Sequence, residues 1–234
     1  MNQITALDDS DLSFPPVELA LEDPDGLLAV GGNLSSERLI LAYSQGIFPW
    51  YQDDLPILWW SPGTRMVLYP EKLHVSRSMR KVIKQSPYRI SFDEAFDQVI
   101  SQCAELRLDA EGTWITSDMQ KAYITLHKMH FAHSVEVWED NILVGGLYGI
   151  AMGQAFFGES MFSTRSNTSK LALIALSKQL QDWGYQLIDC QVPSEHLESL
   201  GAQEMQREDF MKELERLRAL PGKQGPWHFE RESL

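Results

Sequence analysis

The chain has 234 residues and carries 33 acidic against 20 basic side chains, a net charge of −13, which argues against non-specific nucleic-acid binding over its whole surface. Its length admits one large domain or two small ones, and 44% apolar with 23% charged residues is ordinary for a soluble globular protein. It has two cysteines, Cys103 and Cys190, without metal-type spacing, no secretory signal pattern, and no apolar run near the about 18 residues of a membrane span; together these predict a reducing, cytoplasmic setting and no membrane partner.

Charge is uneven along the chain. Residues 1–37 hold eight acids and no base, whereas residues 65–90 hold seven bases and one acid, Glu71. Such a basic island on an acidic protein reads as a localised anion site. Residues 1–32 are loop-rich, with turn chemistry at Phe14-Pro15-Pro16 and Asp23-Pro24-Asp25-Gly26. Residues 27–32 read as a short strand ended by glycines. A helix over 36–44 follows, with Leu39, Ile40 and Tyr43 on its apolar side, capped by Asn33 or Ser35 and stopped at Gly46. The proline-rich stretch after it, with Trp50, Trp59 and Trp60, makes a rigid aromatic surface, and Trp59 and Trp60 are assigned mainly to a domain interface. A boundary at Ser61-Pro62-Gly63 divides the chain into a small N-terminal domain, 1–62, and a larger one, 63–234.

Residues 64–70 read as a strand and 76–85 as a helix capped by Ser76. Its Arg77, Lys81 and Lys84 are four and three apart and share one face. A strand at 88–92, a helix at 93–103, a turn at 112–115 and a helix at 117–129 with Met119, Ala122, Tyr123 and Leu126 as its apolar stripe come next. Strands follow at 133–139 and 142–150, joined by a hairpin turn at Asp140-Asn141, with Gly145-Gly146 marking a bulge or a close backbone approach. A short buried strand, 154–158, leads through a turn into a helix whose Leu173, Leu176, Leu180 and Trp183 face one way. A strand at 186–192, a short helix from Ser194, an amphipathic helix at 206–217 and a polar, irregular tail from Pro221 complete the chain. The order predicts a mixed α/β (α+β) protein, with a mixed sheet flanked by helices; it resembles the GNAT acyltransferase fold.

Three polar residues stand where apolar runs end: Glu159, Asp189 and Gln191. Asp189 and Gln191 are two apart, so a strand turns both to one face. A carboxylate and an amide on a buried strand are unfavourable unless they bond something, and ligands often lie off such strand ends. They form either a site or a satisfied buried polar cluster.

Taken together, the stretches 27–34, 46–50 (Gly-Ile-Phe-Pro-Trp), 58–62 (Leu-Trp-Trp-Ser-Pro), 111–115, 133–138, 158–163 (Gly-Glu-Ser-Met-Phe-Ser) and 188–192 (Ile-Asp-Cys-Gln-Val) resemble the leucyl/phenylalanyl-tRNA–protein transferase family over about residues 14–210. The resemblance implies transfer of Leu or Phe, and less readily Met, from aminoacyl-tRNA to proteins bearing an N-terminal Arg or Lys, creating an N-degron. It implies no metal or organic cofactor, since the energy is stored in the aminoacyl ester. It makes Asp189 and Gln191 the catalytic pair, with Asp189 either a general base of burial-raised pKa or an anchor for the amine. Glu159 would receive the acceptor's basic N-terminal residue. Trp50 and Trp114 would stack the terminal adenosine of the tRNA. Leu147, Phe156, Met161, Leu173 and Leu176 would form the aminoacyl side-chain pocket, with Leu147 and Leu176 departing from the familiar Met and Phe. Arg77, Lys81 and Lys84 would track the tRNA backbone. A monomer is expected. Two other readings stand beside this one. A coenzyme A-dependent N-acyltransferase would want a glycine-rich turn where this chain has residues 164–169, without glycine. A non-enzymatic RNA- or degron-binding module leaves the Asp189–Gln191 pair unexplained.

Overall fold

The computed structural model describes residues 4–108, 114–231 and 234. Its elements are β1 (Thr5–Leu7), β2 (Leu27–Gly31), α1 (Ser36–Ser44), β3 (Phe48–Pro49), β4 (Leu58–Trp60), β5 (Thr64–Leu68), α2 (Arg77–Gln85), β6 (Arg89–Phe92), α3 (Phe96–Leu108), α4 (Ser117–Lys128), β7 (Ala132–Glu139), β8 (Ile142–Met152), β9 (Ala155–Ser163), α5 (Thr168–Asp182), β10 (Leu187–Gln191), α6 (Glu195–Glu198), β11 (Gln203–Gln206) and α7 (Arg207–Arg218). Side-chain caps set several helix starts. Ser35 Oγ accepts from the Arg38 N–H at 3.4 Å, while Asn33 braces Ser35, so Ser35 is the cap of α1. Ser76 and Thr116 cap α2 and α4 in the same way.

The strands form two sheets, one of order β1-β2-β4-β3 and one of order β11-β5-β10-β9-β8-β7-β6. In the larger sheet β9 and β10 run parallel, linked by α5, and the other neighbours are antiparallel. This is the expected mixed sheet flanked by helices. Strand alternation divides its faces. Phe157 and Leu187 face a core made with α1, α3, α4 and α7, which also takes in Leu28, Ala29 and Trp59 of the smaller sheet. Phe156 and Ile188 face the opposite core, made with α5, Met79 of α2 and Trp227. No helix among the described residues is long and apolar enough to cross a membrane.

Four local expectations change. Strands β1, β3, β4 and β11 have no counterpart in the expected order; β1, β3 and β11 are short edge strands, and β4 lies between β2 and β3. The strand expected to stop at Gly158 continues to Ser163, because a register shift at Tyr148/Gly149 accommodates Glu159 as an extra residue. Helix α3 begins at Phe96, after Asp93 in a left-handed conformation (φ 58°). The irregular tail is anchored: the Trp227 N–H donates to Asp93 Oδ2 at 2.7 Å, and its ring stacks on His133 at 3.8 Å. The Gly145 expectation holds, since a Cβ there would lie 2.4 Å from Thr168 Oγ1, where α5 begins.

Candidate active site

The parallel strands β9 and β10 pair through Phe157 and Asp189 and then part. Each carries a bulge at that point: Glu159 is the extra residue against β8, and Cys190 the extra residue against β5. Bulges re-aim side chains and end pairing. Beyond the bulges opens a cavity of about 690 Å³, within the range of small-ligand sites, about 300–1,000 Å³.

The wall of this cavity gathers residues from both sheets. Trp50, Trp60, Leu55 and Trp114 lie on its outer side, with Leu147, Phe156, Met161, Leu173 and Leu176 within and Gly158, Glu159, Cys190, Gln191 and Val192 along the parted strands. Trp50 is 44% exposed and tilts against Trp60 at 5.6 Å, and the Trp60 indole N–H donates to the Trp50 carbonyl at 2.7 Å. Both Trp59 and Trp60 pack in or against the core that the two sheets share, but they do different things there. Trp59 is buried, donating to the Gly31 carbonyl at 2.9 Å, whereas Trp60, on the opposite side of the strand, faces the cavity. Of the stretch 111–115, only Trp114 and Ile115 fall within the described residues.

Glu159 is buried in a box of donors. The Tyr43 hydroxyl donates to Oε1 at 2.7 Å, the Tyr123 hydroxyl to Oε2 at 3.2 Å, and the Gln191 amide to Oε1 at 2.8 Å. The two tyrosine hydroxyls also contact each other. Burial outweighs these donors and pushes the Glu159 carboxyl up to about 7. Burial, reinforced by Glu159, raises both tyrosines well above their usual range, so they remain donors. Sequence reasoning misses Tyr43 and Tyr123 as site residues, because on α1 and α4 they read only as part of an apolar stripe.

Asp189 and Gln191 do not follow the alternation that their spacing predicts: the bulge at Cys190 lies between them, Asp189 pairing with Val67 and Gln191 with Met66, which face opposite cores, and their surroundings differ. Gln191 lines the cavity in a left-handed conformation (φ 68°), with the Val192 N–H donating across it to the Cys190 carbonyl at 2.9 Å. This is the pattern of the rare γ-turn, and such a backbone costs about 1–3 kcal/mol unless its surroundings over-determine it. Asp189 is fully buried and lies against Arg65: the Arg65 Nε donates to Oδ1 at 3.0 Å, and Nη2 to Oδ2 at 2.6 Å. The Gln191 N–H donates to Asp189 Oδ1 at 2.8 Å. The expectation for Asp189 counts only its burial and leaves out the Arg65 fork. Glu159 is a carboxyl of the cavity wall that burial raises.

Arg77, Lys81 and Lys84 are exposed on α2, whose Met79 is buried in the core that also holds Leu68, Ile188 and Leu200. They stand outside the cavity wall.

Residues 32–63 match the leucyl/phenylalanyl-tRNA protein transferase N-terminal domain, and residues 67–215 match the leucyl/phenylalanyl-tRNA protein transferase family. The chain belongs to the leucyl/phenylalanyl-tRNA–protein transferase family. Relatives bearing that name include proteins of Stutzerimonas stutzeri, 56% identical over 90% of this chain and 93% of the relative, and Nitrosomonas europaea, 55% identical over 94% of each. A third, from Azotobacter vinelandii, is 58% identical over 88% of this chain and 92% of its own. Among solved structures the chain overlaps FemX with a TM-score of 0.49 at 9% identity, covering 76% of this chain and 70% of that one. It overlaps an N-acetyltransferase of Thermoplasma acidophilum, solved with coenzyme A, with a TM-score of 0.32 at 13% identity, covering 42% and 75%. As a transferase of this family the protein is an enzyme, and the parted-strand cavity is its candidate active site.

Proposed function

We propose that this enzyme moves Leu or Phe, and less readily Met, from aminoacyl-tRNA onto proteins with an N-terminal Arg or Lys, creating an N-degron. The observation that carries the reading is the lining of one cavity by three kinds of surface: an aromatic outer side, an apolar interior, and a polar edge of Glu159 and Gln191. Trp50 and Trp114 suit the terminal adenosine, since stacking on a base is worth about 1–3 kcal/mol. Leu147, Phe156, Met161, Leu173 and Leu176 suit an unbranched-at-Cβ apolar side chain, although such pockets discriminate by only about 1–3 kcal/mol per methylene. Glu159 suits a cationic acceptor.

In the reaction, the acceptor's neutral α-amine attacks the ester carbonyl carbon. A C–N bond forms, the C–O bond to the ribose breaks, the amine loses a proton and the ribose oxygen gains one. Alignment of the amine is the contribution the protein is best built to supply, and positioning is worth up to about 7–11 kcal/mol in good intramolecular systems. Asp189 and Gln191 are the pair on which the alignment depends in this reading. Residues 1–62 act as a small N-terminal domain bringing the aromatic side to the larger domain, and the protein works as a cytoplasmic monomer.

The test is transfer from Phe-tRNA to a reporter peptide beginning with Arg, beside one beginning with Ala, with acetyl-coenzyme A as a parallel donor. Phe on the Arg peptide alone is the expected result. Acetyl transfer without Phe transfer would replace the donor, and no transfer from either would favour a binding module. The exposed bases of α2 suit the tRNA backbone. Lys81→Glu combined with Lys84→Glu is expected to weaken tRNA binding and to lower the salt slope by about 0.9 for each phosphate no longer neutralised. An unchanged slope would remove α2 from the tRNA path.

A further inference from the structure

Arg65 is fully buried, and its guanidinium joins the parted strands to the segment that carries the aromatic side of the cavity. Nε and Nη2 fork onto Asp189, and Nη1 donates to the Gly46 carbonyl at 2.8 Å. The guanidinium lies over the rings of Phe48 at 5.0 Å and Phe210 at 4.5 Å. Gly46 and Phe48 lead directly to Trp50. On the other side, Asp189 Oδ1 also receives the N–H of left-handed Gln191, whose amide donates to Glu159. The cavity wall includes Ile188, Cys190 and Gln191, while the Asp189 carboxylate turns from it to Arg65.

We propose that Arg65 is a positioning residue of the transfer reaction: it clamps Asp189, through which it holds the strained Gln191 turn, and sets the Trp50 segment in register with that turn. The proposal rests on the reaction given above. A left-handed non-glycine residue persists where its surroundings over-determine it. Here the Asp189–Gln191 bond supplies that constraint only if the Asp189 rotamer is itself fixed. A planar fork fixes a carboxylate in two directions at once, and a lysine ammonium cannot. Asp189 then acts on the reaction through Gln191, with its oxygens occupied by Arg65 and the Gln191 N–H.

The experiment compares Arg65→Ala and Arg65→Lys with wild type in transfer of Phe from Phe-tRNA to the Arg peptide, with and without methylguanidinium, and measures Phe-tRNA binding and thermal unfolding separately. Both variants are expected to lose kcat, by about 100-fold for Ala and on the order of tenfold for Lys, as misalignment by about an ångström does, and to weaken Phe-tRNA binding, through the Trp50 segment, by less than they lower kcat. Methylguanidinium is expected to restore kcat saturably to Arg65→Ala and to leave Asp189→Ala unchanged. A folded variant with wild-type kcat overturns the proposal. So does a loss confined to KM for Phe-tRNA, or a kcat loss equal in both variants that methylguanidinium does not touch. Should Arg65→Ala fail to fold, the kcat and binding of Arg65→Lys decide by the same criteria. The wild-type arm separates the two readings: no transfer by wild type overturns the function itself, whereas transfer by wild type with undiminished kcat in the variants overturns only the role of Arg65.

Discussion

Asp189→Ala is expected to lower transfer by about three orders of magnitude while leaving Phe-tRNA binding within about threefold, because Asp189 acts on alignment and not on the donor's aromatic or apolar surroundings. The substitution removes the acceptor of the Arg65 fork and leaves a buried guanidinium unpaired, a defect worth about 3–5 kcal/mol against a total stability of about 5–15 kcal/mol. Thermal unfolding therefore accompanies the assay, which is run well below the variant's midpoint. Asp189→Asn supplies the finer measurement. It keeps the shape and one carbonyl oxygen for Arg65 or the Gln191 N–H, but it cannot accept the amine's proton. If Asp189 works through position, Asn retains on the order of tenfold more activity than Ala; if it works as the proton acceptor, the two are equally inactive. The Arg65 geometry favours the first outcome. Wild-type activity in Asp189→Ala would take Asp189 out of the mechanism.

The parts of this arrangement that are legible in the sequence are those where a local pattern has one physical meaning. The stripe of Leu173, Leu176 and Leu180 marks α5, and Asp189 and Gln191 stand out as polar residues at the end of a buried strand, although the bulge between them breaks the alternation that would put both on one face. What is not legible depends on partners far away in sequence. Arg65 counts as one more base of a basic island, yet it lies 124 residues from Asp189. The available signal is a single charge inside an otherwise apolar strand, Arg65-Met66-Val67-Leu68, which is rarely buried unless paired. Gly158-Glu159-Ser160 breaks an apolar run and so reads as a turn; a bulge lets the strand absorb the break and continue. Adjacent strand residues point to opposite faces, so Trp59 and Trp60 cannot share one role, and alternation alone separates them. Tyr43 and Tyr123 satisfy the apolar stripes of their helices, and nothing local reveals that their hydroxyls meet one carboxylate. The tail offers few large apolar residues in a polar stretch, Trp227 and Phe229 foremost, and the partner of the Trp227 N–H, Asp93, stands 134 positions away.

Glu159→Gln is expected to lower kcat/KM for the Arg peptide by about 10- to 100-fold, the worth of a charge-assisted hydrogen bond of about 1.5–3 kcal/mol, and to change the pH profile. Burial raises the Glu159 carboxyl from 4.5 to about 7, and a cationic acceptor favours its ionised form. Wild-type kcat/KM should therefore rise through pH about 7 as Glu159 ionises, and again as the acceptor's α-amine deprotonates near about 7.7–8.0. The Gln variant keeps the second rise and loses the first. Tyr43→Phe removes a donor that favours the carboxylate, so the first rise should move above 7; the opposite direction would mean that the hydroxyl does not support the ionised form. The same group sets a stability window of definite sign. Between 4.5 and about 7 the folded chain holds a proton that the unfolded chain has released. The stability contributed by the neutral carboxyl is thus fully present below 4.5 and is lost as pH rises through about 7. Glu159→Gln should flatten that decline while impairing transfer, which separates a group retained for the reaction from one retained for the fold. A variant with an unchanged pH profile and unchanged preference for Arg over Ala would leave Glu159 as a buried structural carboxyl and move the acceptor's recognition elsewhere.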